Sequence, residues 1–382
     1  MERLQTDELV ALIERVFEPK PDDTTVAVLV DLPDAELPDN DAWALRRSIA
    51  AGWVRELQQA REQHRFDVDL VVYRNVRANN ADLPEAAWIC APDAIPAAAD
   101  PHPAAASSFS DILSSHRIVL APTELSATAP LKVLSKRFGC RAATMPGFSP
   151  DMVPALRIDY AEVNRRVRLL KDLLDRAVGA DLTFEVDGTP ADPLHLDLRH
   201  RMAHASGGLL PDPGTAGNLP SGEAYIVPYE GEIDGVATGS RGRLPIQMDD
   251  EVVIFDIEHN VATRVVSEGP VSDRESRLLA AEPARGNLAE LGLGVLAAFG
   301  IEPIGVVLLD EKLGLHLAFG RSEHFGGQVG PDRFSRAEAV IHQDHVYLPQ
   351  LQPRINAAAV DLTLDDGSRI DLIRNGGYVL EF

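Results

Sequence analysis

Thr25–Leu32 reads TVAVLVDL, an apolar run broken by a single charge, Asp31. Continuous apolar character over so short a length marks a strand, and the segments around it decide what kind of sheet it joins. Residues 43–63 repeat apolar positions at helical spacing, 68–73 (VDLVVY) and 117–120 are again short and apolar, and 132–138 are helical up to Gly139. Strands separated by helices pair in parallel through right-handed crossovers that lay the helices on the sheet faces. Residues 1–178 are therefore expected to form a three-layer α/β domain with a parallel sheet.

Residues 91–110 (APDAIPAAADPHPAAASSFS) are rich in Pro, Ala and Ser. They read as a surface excursion, because strand signals of the same kind resume beyond them. After the turn-rich MPGFSPDMVP, residues 160–178 form an amphipathic helix with Val163, Val167, Leu170 and Leu174 on one stripe, expected to link two domains. From residue 179 to 382 the character shifts. LTFEV, AYIVPYE, DEVVIFDIE, IGVVLLDE, LHLAFG, VIHQDHVY, AVDLTLDDG and GYVLEF are short β-like runs spaced by Gly, Asp and Pro. This half is expected to be an α+β domain rich in antiparallel strands.

The chain has 382 residues, with 36 Lys plus Arg against 59 Asp plus Glu, for a net charge of −23. Such a surface repels phosphate backbones and anionic lipid, so neither nucleic acid nor membrane is expected as a partner, whereas a cationic or zwitterionic small substrate is tolerated. The opening MERLQTDELVALIERVFEPK interleaves charges with apolar residues and does not read as a signal peptide. Cys90 and Cys140 are far apart and match no zinc pattern; reduced thiols in a cytoplasmic protein are expected.

Eight of the eleven histidines lie beyond residue 190, which draws attention to the second half. In AVIHQDHVY (339–347), strand alternation puts His342 and Asp344 on one face and His345 on the other. His316 interrupts the apolar LGLHLAFG (313–320). Glu290 lies in NLAELGL (287–293), and Glu223 ends the turn NLPSGE (218–223) at the start of an apolar run. Each has an ordinary structural reading as a paired or rim residue. Together, two glutamates, two histidines and an aspartate make an oxygen and nitrogen donor set suited to Zn, Mn, Co or Fe. The same region contains Gly292-x-Gly294-x-x-Ala297; it is discounted as a dinucleotide fingerprint because no strand signal immediately precedes it.

The segments NLPSGEAYIVP, NLAELGLG, DEKLGLHLAFG and IHQDHV, in that order and at this spacing, resemble the ligand-bearing segments of the metal-dependent aminopeptidase T family of leucyl aminopeptidases. The resemblance runs from about residue 121 to 347 and includes GADLTFEV; the first 110 residues match less clearly. It implies an α/β N-terminal domain, a metal-bearing C-terminal domain and a homodimer. Position by position, it implies that Glu223, Glu290, His316, His342 and Asp344 are the metal ligands. The family has a tyrosine ligand seven residues after the first histidine, where this chain has Glu323, followed by His324 in RSEHFGGQ. A related branch of the same architecture opens dihydroxypyridine rings with iron and dioxygen on a His, His, Asp set, and Glu290 stands about where that branch has a further histidine. Retaining a glutamate there favours hydrolysis.

The implied chemistry is cleavage of an N-terminal amide bond of a peptide or related small substrate by metal-activated water, with Zn, Co or Mn, or Fe in the dioxygenase alternative. A family member acting only as a binding protein is a third possibility. One or two ions are expected, with Asp344 or Glu223 bridging, and Glu223, then Glu323, as proton carrier. No G-x-S-x-G nucleophile elbow occurs. Arg199 and Arg201 are expected to receive a substrate carboxylate, with His324 beside them. In the first half, Asn80, within the turn cluster RNVRANNADLP (74–84), is expected to cover the site or select substrate.

Overall fold

The computed structural model describes residues 2–98 and 106–382. It divides into two compact units, Met1–Asn164 with Gly208–Ser221, and Arg165–Gly207 with Gly222–Phe382. The division lies inside a helix and not at residue 178.

In the first unit, α1 (Thr6–Phe17), β1 (Thr25–Leu32), α2 (Asp41–Gln59), β2 (Asp67–Arg74), β3 (Ala86–Cys90), β4 (Ala106–Ser108), α3 (Phe109–Ser115), β5 (Ile118–Ala121), α4 (Thr128–Phe138) and β6 (Arg141–Thr144) follow one another. Strands β6, β5, β1 and β2 are parallel neighbours, while β3 and β4 extend the sheet antiparallel beyond β2. All of β1 past Thr25 is buried, which is why its sequence does not alternate. Ala27 and Leu29 pack toward α3 and α4, through Phe109, Ile112, Leu113 and Leu131. The other face is covered by α2, which buries Trp43, Val54 and Leu57. This is the three-layer α/β arrangement expected. Part of the 91–110 excursion, residues 99–105, lies outside the described residues; Ala106–Ser108 returns as the edge strand.

Asp31, the charge inside β1, is buried and accepts from the amides of Glu124 and Leu125, at 2.8 and 2.9 Å, and from the Trp43 indole at 3.1 Å. It ties the start of α2 to the loop after β5.

After a short turn of helix, α5 (Val153–Leu156), the long helix α6 (Tyr160–Arg176) carries the chain out of the first unit, with Val163, Val167, Leu170 and Leu174 all buried. Then come β7 (Ala177–Val186), β8 (Thr189–Pro190), β9 (Leu194–Asp197) and β10 (His204–Ser206). The next strand, β11 (Ala216–Asn218), pairs in parallel with β6, so it belongs to the first sheet. The second unit resumes with β12 (Glu223–Ile226), β13 (Arg241–Met248), β14 (Glu251–Glu258), β15 (Val261–Val265), α7 (Pro270–Ala281), β16 (Leu288–Gly294), α8 (Val307–Asp310), β17 (Leu315–Gly320), β18 (His342–Val346), β19 (Ile355–Leu364), β20 (Arg369–Arg374) and β21 (Gly377–Tyr378).

These strands make two antiparallel sheets. The larger runs β15-β14-β13-β9-β7-β19-β20-β21, with β8 beside β7; the smaller runs β10-β12-β16-β17-β18. Side chains alternate across each strand. On β17, Phe319 of the odd-numbered face meets Phe255 of the larger sheet at a ring separation of 5.1 Å, and Tyr347, just past β18, meets Phe184 at 4.8 Å. The even-numbered face of β17 is thereby turned away from that core.

Two strand expectations are corrected. IGVVLLDE forms the helical turn α8, because the Asp310 carboxylate accepts from the amides of Ile304 and Gly305, both at 2.9 Å, and closes the segment on itself. Only Gly377–Tyr378 of GYVLEF pairs as a strand. The helix α7 went unforeseen; Pro270 at its first turn is its one clear start signal.

Replacing Asp31 by Ala leaves the amides of Glu124 and Leu125 without their buried acceptor, while the Trp43 indole keeps the residue-31 carbonyl at 3.0 Å. A loss of about 2–4 kcal/mol in chemical denaturation is expected.

Candidate metal centre

The smaller sheet places its ligand-type side chains on successive rungs of one face. Across β12, β16 and β17, Tyr225 pairs with Gly292 and Gly292 with His316. On the next rungs Glu290 pairs with Ala318, Ala318 with Asp344, and Gly320 with His342. Glu223 pairs with Gly294. Large side chains are thus set against glycine or alanine, leaving room above the sheet. A Cβ on Gly292 would fall inside the His316 imidazole, and one on Gly294 would fall on the backbone of Lys312. The glycines of the discounted fingerprint serve this clearance.

Five side chains converge there in two trios: Glu223, Glu290 and His316, fully buried, and Glu290, His342 and Asp344, partly open. Glu290 is common to both. It occupies the shared position expected of Asp344 or Glu223. Its Oε1 lies 3.2 Å from His316 Nε2 and its Oε2 3.3 Å from His342 Nε2. Glu223 Oε2 is 3.5 Å from His316 Nε2, and Asp344 Oδ1 is 3.4 Å from His342 Nε2.

The far side of each ring defines its tautomer. His316 Nδ1 lies 3.3 Å from the Gly314 carbonyl oxygen, and His342 Nδ1 lies 2.8 Å from that of Arg321. A carbonyl only accepts, so each Nδ1 carries a proton, and the neutral ring turns its Nε2 lone pair toward the carboxylates. Lone pairs facing one another at such distances repel unless positive charge stands between them, as a proton or a metal ion. Glu223 Oε2 and Asp344 Oδ1 are moreover buried without a hydrogen-bond partner. Oriented imidazoles and orphaned carboxylate oxygens are the donor set a divalent cation takes.

With no cation bound, protons fill that role. Burial works against a charged His316, but the hydrogen bond and charge of Glu290, with Glu223 and Asp344 behind, lift its pKa to about 9. Burial likewise opposes a charged His342, and Asp344 and Glu290 more than compensate, holding it well above its ordinary value. Burial would raise the Glu290 carboxyl; hydrogen bonds from the two histidines instead hold it well below the usual range.

Two neighbours were not foreseen. Lys312, 1% exposed in its side chain, bonds both Glu223 and Glu311. Burial pushes the Glu311 carboxyl up to about 8, against the pull of Lys312 and with repulsion from Glu223 and Asp344 added. The available signal was DEKLGLH, where the two charges directly precede the His316 strand. Next to His342 stands an aromatic wall. Phe325 lies 5.4 Å from the His342 ring and 4.8 Å from Tyr225, which stacks on His204 at 5.1 Å.

The remaining expected site residues separate into one that reaches the centre and four that are engaged elsewhere. His324 reaches it, its ring 5.3 Å from that of His342, and burial with the nearby His342 charge pushes its pKa down to about 4. Glu323 is held by Arg321 through two hydrogen bonds, one at 2.6 Å, which keeps its carboxyl below the ordinary range and makes it a poor proton carrier. Arg199 is bound by Asp197 at 2.9 and 2.6 Å, and Arg201 lies buried against Glu230 and Glu232. With both guanidiniums taken by carboxylates of the chain, neither matches the expected receptor for a substrate carboxylate. Asn80 accepts from Ser126 Oγ and the Ala129 amide, at 3.0 and 2.9 Å, and so caps the start of α4.

Glu230 is a positioning residue that sequence reading passed over. It accepts from Asn287 Nδ2 at 2.8 Å, Ser322 Oγ at 2.6 Å and the Gln328 amide, tying the start of β16 to the loop that carries Glu323 and His324. All three donors, two side chains and one backbone amide, lie within segments already singled out, NLAELGL and RSEHFGGQ.

No protein-family model matches the chain. Over 177 residues, 43% of this chain, it is 30% identical to aminopeptidase T of Thermus aquaticus, and the match spans about two fifths of that relative's own length (40%). Among solved structures, 2,5-dihydroxypyridine dioxygenase from Pseudomonas putida KT2440 superposes with a TM-score of 0.60 at 16% identity, over 99% of each chain. Wild-type AmpT from Thermus thermophilus does so with a TM-score of 0.51 at 18% identity, over 98% of this chain and 99% of that one. The fold is thus shared with an aminopeptidase and a dioxygenase, and the sequence is distantly similar to the former. Among the described residues no helix is long and apolar enough to cross a membrane.

Two outcomes are expected. Gly292→Ala, by displacing the His316 ring that holds Glu290 Oε1, weakens divalent-metal retention about 10- to 100-fold, read by metal analysis after dialysis. In chelated protein, the raised His316 pKa contributes stability that is complete below about 6.5 and lost as pH rises through about 9. The melting temperature of the metal-free form accordingly falls between pH 6.5 and 9.5, and added Zn²⁺ flattens that slope, because a cation on Glu290 offsets the negative charge that raises His316.

Proposed function

We propose that the chain is a metal-dependent hydrolase of the aminopeptidase type, cleaving an N-terminal amide bond of a peptide or related small substrate. The observation that carries this reading is the orientation of His316 and His342. Both rings are fixed through Nδ1 by backbone carbonyls and aim Nε2 at Glu290, the carboxylate that the two trios of ligand-type groups share. A bound divalent cation would supply Lewis acidity there, lowering the pKa of a water and polarising the scissile carbonyl.

The chain's own residues do the rest. Glu223 is engaged on both oxygens, with Oε1 held by Lys312 and Oε2 directed at His316, so the proton-carrying role first given to it passes to Glu311. A carboxyl pushed up to about 8 exchanges protons near neutrality, which suits uptake from water and delivery to the leaving amine. The wall of His204, Tyr225 and Phe325 offers an apolar face to the first side chain of a substrate. The acidic surface draws the substrate ammonium. The distant similarity to aminopeptidase T supports the same reading. We extend it to a cytoplasmic homodimer without nucleic-acid or membrane partners.

A second reading, a ring-opening iron dioxygenase, is favoured by one observation, the fold shared with 2,5-dihydroxypyridine dioxygenase over 99% of each chain. Turnover of aminoacyl-4-nitroanilides with Zn²⁺, Co²⁺ or Mn²⁺, measured beside dioxygen uptake with Fe²⁺ and a dihydroxylated aromatic ring, separates the two. Amide cleavage is expected, lost by about 10²–10³-fold in His342→Ala. Dioxygen consumption without amide cleavage would overturn the hydrolytic reading.

A further inference from the structure

The two trios that share Glu290 differ in what else reaches them. At the Glu223 end stands Lys312, whose ammonium bonds Glu223 Oε1 and Glu311 Oε1 from a fully buried position. The fold makes space for it, since Gly294, paired with Glu223, is where a side chain would strike the Lys312 backbone. At the other end His342 and Asp344 are partly open, and Asp344 Oδ1 has no hydrogen-bond partner.

We infer that the Lys312 ammonium takes the place of a second metal ion, so that the centre holds one divalent cation, at Glu290, His342 and Asp344. The inference rests on the metal-centre reading above and concerns how many ions that centre takes. An ammonium and a dication cannot comfortably share one buried carboxylate: with Oε1 of Glu223 already bonded to Lys312, an ion on Oε2 would face a like charge across the same group, where water does little to screen it. Lys312 also fixes the rotation of the Glu223 carboxylate, holding Oε2 toward His316. It is a positioning residue, acting through Glu223.

The test is a count of ions. Full-length protein is stripped with chelator, reloaded with Mn²⁺ and freed of excess, then measured by elemental analysis and electron paramagnetic resonance. One Mn²⁺ per chain with an uncoupled signal is expected for the parent and for Lys312→Arg, which keeps the charge. Two per chain, with the spin coupling of a close pair, are expected for Lys312→Gln. Two coupled ions in the parent would overturn the inference while leaving the metal centre standing, and so would a folded Lys312→Gln that stays at one. Should Lys312→Gln not fold, the parent's count and spectrum decide alone. Folded parent protein that retains no ion would bring down the metal-centre reading and this inference with it.

Discussion

Burying carboxylates close together on one sheet face obliges the protein to bring positive charge to them. Glu223 and Glu290 are each no more than 5% exposed, with Asp344 beside them. Carboxylates so placed repel one another and have lost their hydration, so the arrangement persists only with cations, protons or both between them. The two histidines, the buried lysine and the glycine clearance around them all answer that single demand. The rest of the second unit provides the rigid support: the opposite face of the sheet is held in an apolar core against the larger sheet, through Phe319 on Phe255 and Tyr347 on Phe184, which leaves the ligand-bearing face no freedom to turn.

Much of this was legible in the chain. The β1 run and the helices after it dictate a parallel sheet, because no other arrangement buries both faces of so apolar a strand. The five ligand-type residues were legible because each is a polar residue in an apolar run, where only a specific partner offsets the cost of burial. What escaped reading depends on contacts between segments far apart. Lys312 and Glu311 look like a surface charge pair until Asp310 folds the preceding apolar run into a turn and carries them inward. Arg201 looks like a free guanidinium until Glu230 and Glu232, some thirty positions on, are brought against it. Asn80 caps a helix that begins nearly fifty residues later. Periodicity sees none of these, since it reports which face a residue takes and not what meets it there.

The shared fold with both an aminopeptidase and a dioxygenase shows how little architecture decides about chemistry. The discriminating details are local. Glu290, with one oxygen toward each histidine, stands at the junction of the two trios, and Glu323 is held by Arg321 away from any ligand role. The wall of rings beside His342 gives the centre one apolar side and one charged side, an asymmetry suited to a substrate with a charged terminus and a greasy side chain.

The course of the backbone between α6 and β12 has its own implication. The chain leaves the first unit, lays down four strands of the second, then goes back to hydrogen-bond Ala216–Asn218 along β6 before departing again. Neither half can therefore be excised with one cut. A fragment ending near residue 178 would have β6 as a naked sheet margin, open to the next molecule's strand, so stitching together hybrids from relatives of this protein requires exchanging two separated pieces at once.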